Sequence, residues 1–293
     1  MAEKDTVAPH RRRLGQQLRR LREASGKTGA QVAEPLGWSA AKVSRIETAQ
    51  TLPSEDDITA LITAYGADEP ALGQVLKLRQ DATQKGWWEQ YDESLPQGFV
   101  AFLGLEAEAE VMRNWEPTVL PGLLQTEDYA SALICNHMQP IAQIPKAWLR
   151  DRVEVRLRRQ AERLLGPNPL RLQVVFEESV LRRNVGGTAL MKDQLQHLVR
   201  LSELDHVEIR LITASTLLPV ITGPFVHFSF SDFPETVYLE DLTGARFVED
   251  AKEVFHYERA FTVLTGVALD TTESRLAIKD AAAFWRERTS KVE

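Results

Sequence analysis

"GWSAAKVSRIETAQTLPS", residues 37–54, sets a glycine before a serine able to cap a helix, and then apolar Val43 and Ile46 among Lys42, Ser44 and Arg45. A glycine that breaks one short helix and a capped start to the next predict a tight helix-turn-helix, with Val43 and Ile46 turned inward toward Val32 and Leu36. The opposite face, Ala40, Ala41, Lys42, Ser44 and Arg45, has the shape to enter a major groove. Small Ala40 and Ala41 allow close approach, and Ser39 with the free amides beside it can hold a phosphate. Arg45 is long enough for a two-pronged contact with guanine, whereas Lys42 suits base or phosphate equally. A solvated surface helix would show the same amphipathic pattern, so charge alone does not separate the two readings.

The flanking sequence builds a small helical domain around this stretch. Leu14, Leu18 and Leu21 recur at helical spacing and Gly26 supplies a stop; Thr28 can cap a short helix over Gly29 to Leu36. Ser54 with Asp57 three residues on is a capping-box-like start, followed by the stripe Ile58, Leu61, Ile62 and Tyr65 and a stop at Gly66. Pro70 falls in the first turn of a fifth helix. Residues 10–47 hold nine basic residues against three acidic, a net of +6 in a chain of net −7, so the remainder carries −13. A cationic island on an acidic body fits a DNA-binding module, spanning 10–82, fused to something else.

From "KGWWEQY" at residue 85 the texture changes. Helical stretches are predicted near 99–110, 126–138, 145–165, 188–203, 250–268 and 272–289. Between them lie strand-like runs at 171–176, 207–212, 224–230, 236–242 and 246–249. Short Asp/Pro and Thr/Gly connections join the last three into an expected antiparallel meander. The expectation is a larger α+β domain over 85–290 with an antiparallel sheet.

"TGAQVAEPLGWSAAKVSRIETAQTLPS" resembles the helix-turn-helix of the XRE, or Cro/repressor, class, through Ala33, Leu36, Gly37, Ser39, Val43, Ser44, Ile46, Glu47 and Pro53. The resemblance, over about residues 12–66, implies a lambda-repressor-like domain of five helices that binds double-stranded DNA. At Gly29 that class usually places a glutamine that braces the phosphate contacts, which leaves the role to Thr28 or Gln31. Pro35 inside the second helix and Ala49 in place of a preferred glycine are further departures. The blocks "GWWEQY", "RVEVRLRRQ", "VVFEESVLRRNVGG", "GPFVHFSF" and "VYLEDLTG" resemble, in order, the C-terminal module of a family of actinobacterial, toxin-antitoxin-like regulators. That likeness implies a transcription regulator acting with a small partner protein encoded nearby; an antitoxin-like protein that sequesters a toxin-like partner, its DNA binding autoregulatory, is the alternative.

Candidate binding residues in the second domain gather in two places. "RNWEPTVLPGLLQTEDY" brings Trp115, Glu116, Gln125 and Tyr129 around a turn, either to wall a ligand or partner site or to fill a core. Arg152, Arg156 and Arg159 share one helix face, to bind an anion or acidic partner or to pair with Glu177, Glu178 and Glu240; Tyr238 lies two residues before Glu240 in the same strand-like run.

At 293 residues, 43% hydrophobic and 26% charged, the chain suits about two globular domains. No run reaches the roughly 18 apolar residues of a membrane span. The N-terminal segment lacks an apolar signal core and Cys135 is the one cysteine, which together predict a cytoplasmic protein. No enzyme signature survives scrutiny. "GKT" at Gly26–Thr28 lacks the first glycine of a phosphate loop, Cys135 and His137 have no second cluster to complete a metal site, and paired acids alone do not make a catalytic dyad. The expectation is therefore a regulator without cofactor, metal or catalysis, acting as a homodimer on two half-sites about 34 Å apart.

Overall fold

The computed structural model describes residues 9–83, 86–138, 144–219, 222–231, 234–242 and 244–289. The chain divides into two compact units: one runs to Asp92 and takes in Gln97–Leu105, and the other comprises Glu93–Pro96 and the chain from Glu106 onward.

Five helices order the first unit: α1 (Pro9–Ala24), α2 (Gly29–Ala33), α3 (Ala40–Glu47), α4 (Glu55–Tyr65) and α5 (Glu69–Thr83). Local chemistry marks their ends. Thr28 and Ser54 each form a capping box, with Gln31 and Asp57 respectively, and the Ser39 hydroxyl accepts from the Lys42 amide. Helix α2 is shorter than its apolar pattern predicts. Pro35 has no amide hydrogen to continue the ladder, and the Trp38 amide instead closes on the Ala33 carbonyl at 2.9 Å across Gly37, whose φ is +65°. Leu14, Leu18, Val32, Val43, Ile46, Ile58, Leu61 and Tyr65 meet in one buried core.

After Glu93–Pro96, the second unit takes in the end of α6 (Phe99–Glu108). It continues through β1 (Val111–Glu116), α7 (Glu127–Leu133), α8 (Lys146–Arg163), β2 (Arg171–Glu177), α9 (Thr188–Leu201), β3 (Val207–Ile212), β4 (Phe225–Ser229), β5 (Thr236–Glu240), β6 (Ala245–Val248), α10 (Ala251–Val267) and α11 (Thr271–Thr289). The sheet order is β3-β2-β1-β4-β5-β6. Strands β4, β5 and β6 form the expected antiparallel meander, but β1, β2 and β3 run parallel, so the sheet is mixed. Parallel neighbours require long crossovers, and the helices α7, α8 and α9 supply them. Strand β1 was not expected; Arg113 and Asn114 interrupt its apolar run, and it is ordered by pairing with β2 and β4.

Side chains alternate across the sheet. On one face Trp115, Val175, Phe225 and Val237 pack with Val254, Phe261 and Leu264 of α10. The other face of β1 and β5 carries Asn114 and Glu116, and Tyr238 and Glu240. Registration through β4, with Asn114 opposite Val226 and Val226 opposite Tyr238, sets these polar side chains in rows across the sheet.

Candidate functional site

In the first unit, α3 stands with its polar face outward. Ser39, Ala40, Ala41, Ser44 and Arg45 are exposed, while Val43, Ile46 and Glu47 are buried. The Arg45 side chain forms no ion pair among the described residues. On α2, Thr28 and Gln31 are exposed and tied to each other: Gln31 Oε1 accepts from the Thr28 amide at 2.9 Å and from its hydroxyl at 3.1 Å. Gly29 is half-buried beneath α3, where an added Cβ would lie 3.9 Å from Val43.

Lys42 is held differently from its neighbours. Its Nζ donates to Asp57 Oδ1 at 2.7 Å and lies 3.6 Å from the centroid of the Trp38 ring. Burial alone would raise the Asp57 pKa, but hydrogen bonds from Lys42 and Ser54 outweigh it and the carboxyl titrates below its ordinary value. The Lys42 charge is thus already matched within the unit, which leaves Arg45 as the long cation of α3 presented to solvent.

A buried tie that the sequence pattern does not reveal sets the pose of α3. Arg22 on α1 grips Glu47 at the end of α3 with two bonds of 2.7 and 2.8 Å, and donates to the Lys27 carbonyl at 2.9 Å. Tyr65 on α4 reaches the same carboxylate at 3.5 Å. At Gly15 on α1 the two backbones approach so closely that a Cβ would meet the Glu47 carbonyl oxygen at 2.6 Å and that of Ile46 at 2.9 Å. The motif residue Glu47 is the one sequence signal for this tie, and its partner lies 25 residues away.

In the second unit the structure brings most of the predicted binding residues together. Trp115 is the exception, since it is buried in the core on the α10 side of the sheet. Arg152, Arg156 and Arg159 of α8 face the row of Glu116, Tyr238 and Glu240, and Glu240, not Glu177 or Glu178, is the carboxylate that attracts all three arginines. Arg159 is anchored by a two-pronged bond to buried Glu106, 2.7 Å at its Nε, and Arg152 Nε donates to the Ser94 carbonyl at 2.7 Å. Buried Gln125 donates to the Leu120 carbonyl at 2.6 Å, and Gln160 of α8 donates to the Gln125 carbonyl.

The cluster is desolvated. Burial, with a contribution from Glu240, pushes the Glu116 carboxyl up to about 7, against hydrogen bonds from Thr118 and Val119. Burial likewise raises Glu240 and Tyr238 and brings Tyr129 up to about 12. Burial and the repulsion of Arg159 and Arg152 lower Arg156 to about 10. Glu240 is nevertheless exposed and Glu116 and Arg156 half-buried, so solvent still reaches these charged groups.

Among the described residues no group of three or more His, Cys, Asp or Glu side chains is placed to hold a metal ion, and no helix is long and apolar enough to cross a membrane. Residues 13–75 match the family model of a helix-turn-helix domain, and residues 99–280 match that of a domain of unknown function, DUF5753. The latter match covers more than half of the chain, which therefore belongs to the DUF5753 family. No curated protein and no solved structure matches the chain.

Proposed function

We propose that the protein is a sequence-specific, DNA-binding transcription regulator of the XRE type, acting by binding and not by catalysis. The carrying observation is the exposed polar face of α3, with a capped N-terminus and unpaired Arg45, inside a matched helix-turn-helix domain. In this reading Ser39, Ala40, Ala41 and Ser44 approach the groove, Thr28, Gly29 and Gln31 brace the adjoining phosphates, and Arg45 reads a base edge. Lys42 acts through Asp57 and Trp38, shaping the start of α3 more than adding free charge. So small an interface gives useful affinity when two copies bind paired half-sites, hence a homodimer. The second unit then senses a ligand or engages a small partner protein in the cytoplasm of an actinobacterial cell.

Genome-wide mapping of bound sites in the native host tests the reading by yielding both motif and half-site spacing. On the operator so obtained, Arg45→Ala is expected to weaken binding by about 1 to 3 kcal/mol and to relax one base position. Unchanged affinity and specificity would remove Arg45 from the readout, and no duplex binding by the wild-type protein at low ionic strength would end the proposal.

A further inference from the structure

Two helix faces in the second unit enclose a cavity that none of the contacts above fills. Glu127, Ile134 and Cys135 share one face of α7 and of the single π-helical turn, Ile134–Met138, that continues it. On α8, Lys146, Leu149, Arg150 and Val153 recur at helical spacing. These two stripes line a cavity of about 700 Å³, partly open to solvent and within the size range of small-molecule sites. Its apolar wall is the edge of a small core, in which buried Ile134 and Val153 pack with half-buried Leu149. Its charges have no partners: the Lys146 and Arg150 side chains are exposed, and among the described residues neither forms an ion pair or a hydrogen bond. Like charges one helical turn apart repel. Glu127, on the other wall, pairs with neither.

We infer that this cavity binds an amphiphilic organic carboxylate, its apolar body against Ile134, Leu149 and Val153 and its carboxylate between Lys146 and Arg150. An oxyanion in that position offsets the repulsion between the two cations and accepts charge-assisted hydrogen bonds from both. An apolar body removes the open part of the wall from water. An inorganic anion would leave the wall wet, a neutral apolar molecule would leave both cations unmatched, and an amine would meet like charge. The inference rests on the reading of the second unit as a sensor and names the class of molecule sensed.

Cys135 supplies the test, because it lines the cavity, is exposed and is the one cysteine of the chain. Its alkylation by iodoacetamide in the folded full chain, followed by mass spectrometry, reports whether the cavity is filled. The probes are the sodium salts of hexanoic to dodecanoic acid and of 3-phenylpropanoic acid, with the matching alcohols and alkylamines as controls, and calorimetry gives each affinity. At least one carboxylate is expected to slow alkylation about tenfold at saturation, with its alcohol and amine binding at least about tenfold more weakly. The double variant Lys146→Gln, Arg150→Gln should weaken that carboxylate by about tenfold or more, with the unliganded alkylation rate and melting temperature unchanged, since both side chains are exposed and unpaired. Unslowed alkylation with every carboxylate, equal binding of the alcohol, or wild-type affinity in the double variant overturns the inference. Alkylation that slows with rising protein concentration and no carboxylate would make a second copy of the chain the occupant, and overturns it too. Duplex retention measured on the same preparation keeps the outcomes distinct: its loss sinks the regulator reading and leaves the carboxylate site standing, and the converse also holds.

Discussion

Replacing Glu116 by Gln isolates one buried carboxyl and fixes it in its neutral form. The Glu116 pKa stands at about 7 in the folded chain against an ordinary 4.5, raised first by burial and then by Glu240. The groups facing it are Glu240 on β5, Tyr129 on α7 and the Thr118 hydroxyl, which donates to Glu116 Oε1 at 3.1 Å and can do the same for a glutamine. Between the two pKa values the folded chain holds a proton that the unfolded chain has released, so stability falls as pH rises. The contribution of the neutral carboxyl is fully present below 4.5 and is lost as pH climbs through about 7. A shift of that size would correspond to about 3 kcal/mol at 1.36 kcal/mol per unit; the group is half-buried, and solvent screening reduces the expectation to on the order of 1 to 3 kcal/mol. In urea unfolding, Glu116→Gln should match the wild type near pH 4.5 and exceed it by that amount at about pH 8. The difference between the two proteins cancels titration elsewhere, including that of buried His227. A variant whose advantage does not grow with pH would show that Glu116 is already ionised and solvated, and the desolvated cluster would lose its main support.

Three further outcomes probe the first unit. Glu47→Ala strands the Arg22 guanidinium and should cost on the order of 3 kcal/mol in chemical denaturation; a loss under about 1 kcal/mol would make the tie incidental. Gly15→Ala drives a methyl into the α3 backbone and should destabilise by about 1 to 3 kcal/mol while weakening duplex binding, since α3 must move; full stability with intact duplex binding would refute the close approach. Ala49 holds a φ of +61°, and Ala49→Gly relieves about 1 to 2 kcal/mol of left-handed strain. The lost buried methyl, about 0.8 kcal/mol, and the freer unfolded chain, about 0.4 to 1 kcal/mol, offset it, so urea unfolding should find a net change near zero.

The contrast between the two units follows from the range over which their interactions act. Thr28, Ser39, Ser54, Gly37 and Gly66 mark helix ends through bonds to residues three or four positions away, so the helix-turn-helix could be read along the chain. The inward set of Val43 and Ile46 needed only the helical period. What escaped that reading is what depends on pose: Glu47 meets Arg22 because α1 crosses α3 at Gly15, and Lys42 is drawn to Asp57 by the entry of α4. In the second unit the arginine stripe was visible for the same reason as the helix caps, because Arg152, Arg156 and Arg159 share one helix face. Their partner was not, since Glu240 reaches them through the register of β5 on β4 and of β4 on β1, and β1 is itself a strand that only its neighbours define. A slip of one residue in β5 would send Tyr238 and Glu240 to the apolar α10 side and bring Leu239 under the arginines. Sheet pairing, more than the identity of any one residue, is therefore what sets a cationic helix face against acidic side chains, and substitutions that weaken β4–β5 pairing should abolish that arrangement even when every charged residue is kept.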